Sequence, residues 1–222
     1  MRGRFSSPVE RPLVQERWDT ARTEAFSDGV FAIAITLLVL EIDVPESDFD
    51  NLARGIAHQW PSYLGYVTSF VTIGGLWLAH HGVFRRLAFV NSAIMRLNLV
   101  LLMVVSFLPF PTKLMAEAIR DDSAERAAVI FYGATLLAIS ITFSALWSVA
   151  VRDRELLKEG IAEQEVADVV RAASPSLGFY ASFTVLAIFV PKVAAVGYLV
   201  VAVLAVLRAR GDPHESRSTA HA

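Results

Sequence analysis

Residues 22–43 read Arg-Thr-Glu-Ala-Phe-Ser-Asp-Gly-Val-Phe-Ala-Ile-Ala-Ile-Thr-Leu-Leu-Val-Leu-Glu-Ile-Asp. The run from Glu24 to Ile42 is long and apolar enough to cross a bilayer, yet Asp28 sits inside it. A carboxylate at that depth costs a few kcal/mol or more unless a partner compensates it. Asp28 therefore either locks helices together or handles protons or ions. Arg22 cannot be its partner on the same helix, because six residues turn the chain by about 240°.

The whole chain has the same character as this stretch. Of its 222 residues 55% are hydrophobic and 19% charged, with a mean hydropathy of +0.49. Soluble domains are more charged and less apolar, so the reading is an all-α integral membrane protein. The formal net charge of −2 argues against a nucleic-acid partner. The absence of cysteine excludes disulfides and thiolate chemistry. The first apolar run is too long for a signal peptide and is followed by acidic residues, which marks it as a retained span.

Four further regions extend the pattern, at 62–84, 94–112, 127–150 and 176–207. As one helix the last would reach about 48 Å, against about 30 Å of hydrocarbon. Pro191-Lys192 lies at its midpoint, so two short spans joined by a hairpin fit better. The count is then six. Fifteen of the Lys and Arg residues fall on the side of the two termini, and only Arg54, Lys113, Arg120, Arg126 and Lys192 fall opposite. This bias places both termini in the cytoplasm. The organisation is a polar N-terminal tail (1–21), a six-helix membrane domain (22–210) and a disordered C-terminal tail (211–222). The polar segment 152–173 reads as a cytoplasmic helix or an extension of the fourth span, ended by Ser174-Pro175.

Within the spans, Asp28, His80, His81 and Asn98 fall at one depth on three helices, with Trp77 beside them. In lipid such groups should meet. They can form a packing lock or a proton relay. Adjacent histidines diverge by about 100° around a helix, which makes a poor metal pair, and no other ligand spacing suits a metal. The first helix also carries Ile33, Thr36, Leu37 and Leu40 on a stripe turned away from Asp28. By spacing alone that stripe can face lipid, protein or a pore.

The string Arg22-x-x-x-Phe26-Ser27-Asp28 ahead of an Ala/Ile/Leu-rich span resembles the first helix of the transmembrane protein 175 family of potassium channels. Trp77-x-x-His80-His81, and Leu97-Asn98 followed by Phe107-Leu108-Pro109-Phe110-Pro111-Thr112, are similar to the same family. The resemblance covers the first three spans. It implies a six-helix subunit that assembles, in single-unit bacterial members, as a homotetramer in the plasma membrane. It further implies a pore lined by the first helix, with Ile33 as the constriction, Leu37 and Leu40 as further rings and Thr36 as a hydroxyl layer. Arg22, Ser27, Asp28, Trp77, His80, His81 and Asn98 would form the polar network that holds helices and subunits together. The expected function is passive, potassium-permeable cation conduction in the lipid bilayer, with monovalent cations as ligands, no cofactor and no enzymatic activity. The rival expectation is a proton-coupled transporter relaying through Asp28 and His80.

Overall fold

A computed structural model of the chain describes residues 17–119, 121, 123–161 and 177–209. The C-terminal tail, most of the N-terminal tail and Ser174-Pro175 lie outside the described residues. The described chain is helical: α1 (Thr20–Leu37), α2 (Leu52–His58), α3 (Trp60–Arg86), α4 (Ser92–Phe107), α5 (Pro109–Ala118) and α6 (Glu125–Arg152), then α7 (Leu177–Leu186) and α8 (Pro191–Ala209). Short 3₁₀ segments continue α1 over Leu38–Glu41, precede α2 over Glu46–Asn51 and follow α6 over Arg154–Leu156.

Among the described residues three stretches are long and apolar enough to cross a membrane: Thr20–Glu41, Ser92–Ala118 and Glu125–Arg152. The third expected span, 94–112, is thus the middle of a longer rod. It is interrupted at Leu108 because Pro109 cannot donate to the preceding turn. At 27 residues α3 has the length but lacks the apolarity, since it holds Thr68, Ser69, Thr72, two histidines and four glycines. The apolar run 176–207 does break near Pro191. Helix α7 ends at Leu186, turns follow, and Pro191 opens α8, where its missing N–H costs nothing.

Segment 152–173 is not a continuation of the fourth span in its described part. Helix α6 stops at Arg152 and the chain becomes extended at Leu157. There it enters a backbone clamp. Leu87 pairs with Leu157, and Val90 with Trp18, in isolated antiparallel bridges. The bonds are Ala88 N–H to Leu156 O (2.8 Å), Lys158 N–H to Arg86 O (3.0 Å), Trp18 N–H to Val90 O (2.9 Å) and Val90 N–H to Trp18 O (3.1 Å). The start of α1, the end of α3, the start of α4 and the end of α6 are thereby gathered at one end of the bundle. Asp19 caps α1 and Asn91 caps α4, each accepting backbone N–H bonds worth about 1 kcal/mol.

The opposite end is tied by side chains. Lys113 of α5 lies 3.5 Å from Glu41. In the link to α6, exposed Asp121 accepts from the Ser123 hydroxyl and N–H, bonds that hold its carboxyl below the ordinary range. Lys192 of α8 lies 3.7 Å from Glu125, whose side chain is only 6% exposed. The Lys192→Met variant is expected to lose about 1 kcal/mol of stability, because a buried carboxylate then loses a half-exposed counter-charge. Adding Glu125→Gln should restore part of it. Thermal unfolding in detergent measures both.

Between the two ends a seam of hydroxyls crosses the bundle. Ser69 of α3 lies 2.7 Å from the Thr112 hydroxyl and 3.0 Å from Tyr132. Thr112 donates its own hydrogen to Leu108 O, so Ser69 donates to Thr112 and accepts from Tyr132. Close approach completes the packing. A Cβ on Gly133 would collide with the Tyr198 hydroxyl, and one on Gly197 with the Phe183 ring. These glycines let α6, α7 and α8 touch backbone to side chain, the small-residue packing that substitutes for a hydrophobic drive in lipid.

Candidate functional site

Helix α1 has two faces of different chemistry. Thr23, Ser27, Phe31, Ala34 and Leu38, spaced by three or four residues, are buried against the bundle. The opposite face is open: Phe26 is 58% exposed, Ile33 61% and Leu40 70%, with Gly29, Thr36 and Leu37 also exposed. The four residues of the predicted stripe, Ile33, Thr36, Leu37 and Leu40, all lie on this open face. The Thr36 hydroxyl donates to Ile33 O at 2.9 Å, which leaves its oxygen lone pairs directed away from the helix.

The buried face is anchored by a directed chain of hydrogen bonds. The Ser27 hydroxyl donates to Thr23 O (2.8 Å) and Asn98 Nδ2 donates to Ser27 Oγ (2.9 Å). With the Asn98 amide used as donor, its Oδ1 accepts, so His80 Nε2, 2.9 Å away, carries the hydrogen. His80 and Asn98 are fully buried. Phe31 meets the imidazole edge-on at 5.3 Å and Phe84 stacks on it at 4.2 Å. The His80 Nδ1 atom is buried with no hydrogen-bond partner among the described residues.

At the rim of this buried face, Trp77 Nε1 donates to Asp28 Oδ1 at 2.8 Å, and His81 Nδ1 lies 2.6 Å from Glu24 Oε1. The two contacts are rungs between antiparallel helices. Glu24 and Asp28 are one turn apart on α1, and Trp77 and His81 one turn apart on α3. Sequence reasoning missed Glu24, although its spacing from Asp28, matched by that of Trp77 and His81, carried the signal. Asp28 and His80 have different partners, and among the described residues no hydrogen bond joins one to the other.

Arg22 stands outside this network among the described residues. It is exposed and shares the open face with Ile33, because eleven residues complete three turns. Among the described residues no three His, Cys, Asp or Glu side chains converge on a common point.

Comparison with known proteins gives a consistent result. The family profile of the endosomal/lysosomal potassium channel TMEM175 matches residues 22–109, which contain both faces of α1 and every partner described above. A potassium channel of Streptomyces collinus is 45% identical over 163 residues, which is 72% of this chain and 79% of that protein. The crystal structure of a lysosomal potassium-selective channel TMEM175 homolog from Chamaesiphon minutus superposes with a TM-score of 0.78 at 38% identity. That superposition covers 86% of this chain and 98% of the other. The endosomal/lysosomal proton channel TMEM175 of Gallus gallus is 34% identical over 163 residues, and this chain spans 32% of its length. The chain is a membrane protein that belongs to the TMEM175 family.

Proposed function

We propose that the chain forms a potassium-permeable cation channel in which copies of α1 surround the ion path. The observation that supports this most directly is the division of α1. One face is bolted to α3 and α4 through buried polar bonds, while the other presents Ile33, Thr36, Leu37 and Leu40 to open space. One such stripe cannot enclose a path, so several copies are needed. In this reading the assembly is a homotetramer of six-span subunits with both termini in the cytoplasm of a bacterial cell. The names of the relatives support potassium as the permeant ion.

Four Ile33 side chains make a ring narrow and apolar enough to control wetting, with Leu37 and Leu40 as further rings. The outward oxygen of Thr36 offers a partial replacement for ion hydration. Asp43, Glu46 and Asp50, exposed beyond the end of α1, raise the local cation concentration. Arg22, on the open face at the other end, is placed to meet an adjacent subunit. The relay alternative gains no support from the site, where Asp28 and His80 have separate partners.

The test is potassium-driven flux in liposomes. The native protein is expected to pass potassium without a proton gradient. Ile33→Asn should raise flux and lower potassium-over-sodium preference severalfold, because a polar ring no longer excludes water. Absence of passive flux, or an Ile33→Asn variant with native conductance and selectivity, overturns the reading.

A further inference from the structure

Of the two rungs between α1 and α3, only Glu24–His81 joins two titratable groups. The imidazole is 42% exposed and the carboxylate 20%. Trp77 stacks on the same imidazole, with ring centroids 6.1 Å apart and planes 24° from parallel. The His81 imidazole is therefore open at the surface, four residues from the exposed Arg85, and an indole sits against it as a reporter. Imidazole is the side chain whose ordinary titration falls between about pH 5 and 8.

We propose that His81 and Glu24 form a proton-binding site through which pH on the arginine-rich side of the membrane sets how tightly α1 is held to α3. The inference rests on reading α1 as the pore helix. The Nδ1 hydrogen faces Glu24, so the proton is taken from water at Nε2 and no other bond forms or breaks. Without it, the rung is a single N–H to carboxylate bond. With it, the rung becomes an ion pair between helices, a charge-assisted bond that is shorter and stronger. His81 and Glu24 are thus positioning residues for the open face of α1 rather than part of it.

Helix α1 presents Glu24 and Asp28, while Arg22 lies on its far, exposed face. Helix α3 presents buried His80 and, one turn on, exposed Arg85 and then Arg86, whose guanidinium donates to Gly82 O at 2.8 Å. Glu24, Asp28 and His81 all lie within electrostatic reach of the His80 ring. Helix α4 offers neutral Asn98 to His80 and carries Arg96 exposed. From Val193 to Leu207, α8 has Tyr198 as its single titratable group, and that hydroxyl faces Thr184. The Lys113–Glu41 pair and Glu117 belong to the other end of the bundle. A proton on His81 therefore meets the Glu24 carboxylate directly, with two guanidinium groups on the next turn of its own helix.

Two measurements on the full-length protein test the site. In excised patches with pH varied on each face separately, potassium current should change about two- to fivefold between pH 5.5 and pH 8 on the arginine-rich face, the range expected of a half-exposed pair. His81→Gln, which keeps an N–H donor for Glu24, and Glu24→Gln, which keeps an acceptor, should both flatten that response. In purified protein, tryptophan emission should fall on acidification, because an imidazolium quenches a stacked indole more than neutral imidazole does. His81→Gln should abolish that component. An unchanged pH response in both variants, or an emission titration that survives His81→Gln, overturns the proposal. The emission readout does not depend on the pore. If Ile33→Asn leaves flux untouched while emission titrates, the pore reading fails and the proton site stands. If emission titrates and Ile33→Asn responds but current is flat with pH, the coupling to α1 is overturned.

Discussion

Gly133→Ala is expected to destabilise the protein by about 3 kcal/mol, near the upper end for an overpacked interior. One methyl group has a large effect here because of where it would lie. It collides with the Tyr198 hydroxyl and meets the Thr184 hydroxyl beside it, and these two groups already face each other at 3.3 Å. Neither can retreat freely. The Tyr198 ring is packed by Phe183, Tyr132 and Tyr180, and its side chain is fully buried. The strain must then separate α6 from α7 and α8. Adding Tyr198→Phe removes the colliding oxygen and should recover part of the loss. A double-mutant cycle on thermal unfolding in detergent would show this as a coupling energy well above experimental error. Strict additivity of the two variants would contradict the packing described for this seam.

Asn98→Leu should cost about 2 kcal/mol, between the values for a lost interhelical bond in lipid and for orphaned buried groups. The shape of the side chain is nearly kept, so the effect isolates hydrogen bonding. His80 Nε2–H and the Ser27 oxygen both lose their partner at 0% exposure, where water cannot replace it. Asn98→Asp keeps an acceptor for His80 but loses the donor to Ser27, and it buries a charge. It should be no better tolerated than leucine. Both variants should loosen α1 from α4, visible as faster hydrogen exchange over residues 23–31. Protection there equal to the native protein would mean that apolar contacts of Phe31 and Ala34 alone hold α1.

The apolar runs and the break at Pro191 were legible because hydropathy and proline act locally. The open face of α1 was legible as a pattern, since Ile33, Leu37 and Leu40 repeat at helical spacing; which side is open depends on what abuts the helix. The hydroxyl seam was not legible. Ser69, Thr112 and Tyr132 are spread through runs that score as apolar, and the serine and threonine hydroxyls bond their own helices equally well in isolation. Glu24 received no role of its own because it stands at the first position of the apolar run. Its partner His81 becomes evident only when α1 and α3 are set antiparallel in register. Arg22 was grouped with Asp28 by motif, whereas a three-turn repeat sets it on the open face with Ile33. The clamp around Leu87–Val90 left no trace, because two-residue bridges have no periodicity to detect.

That clamp also dictates a timetable for biogenesis. Trp18 can find Val90 once the nascent chain has delivered α3, but Leu157 arrives only after α6. At ribosomal rates of about 5–20 residues per second, the interval is roughly 3 to 13 seconds. During it, Ala88 N–H and Arg86 C=O await the partners they have in Leu156 and Lys158, and the edge of a growing chain stands open to other strands. Maturation is complete only when the segment after α6 closes that edge.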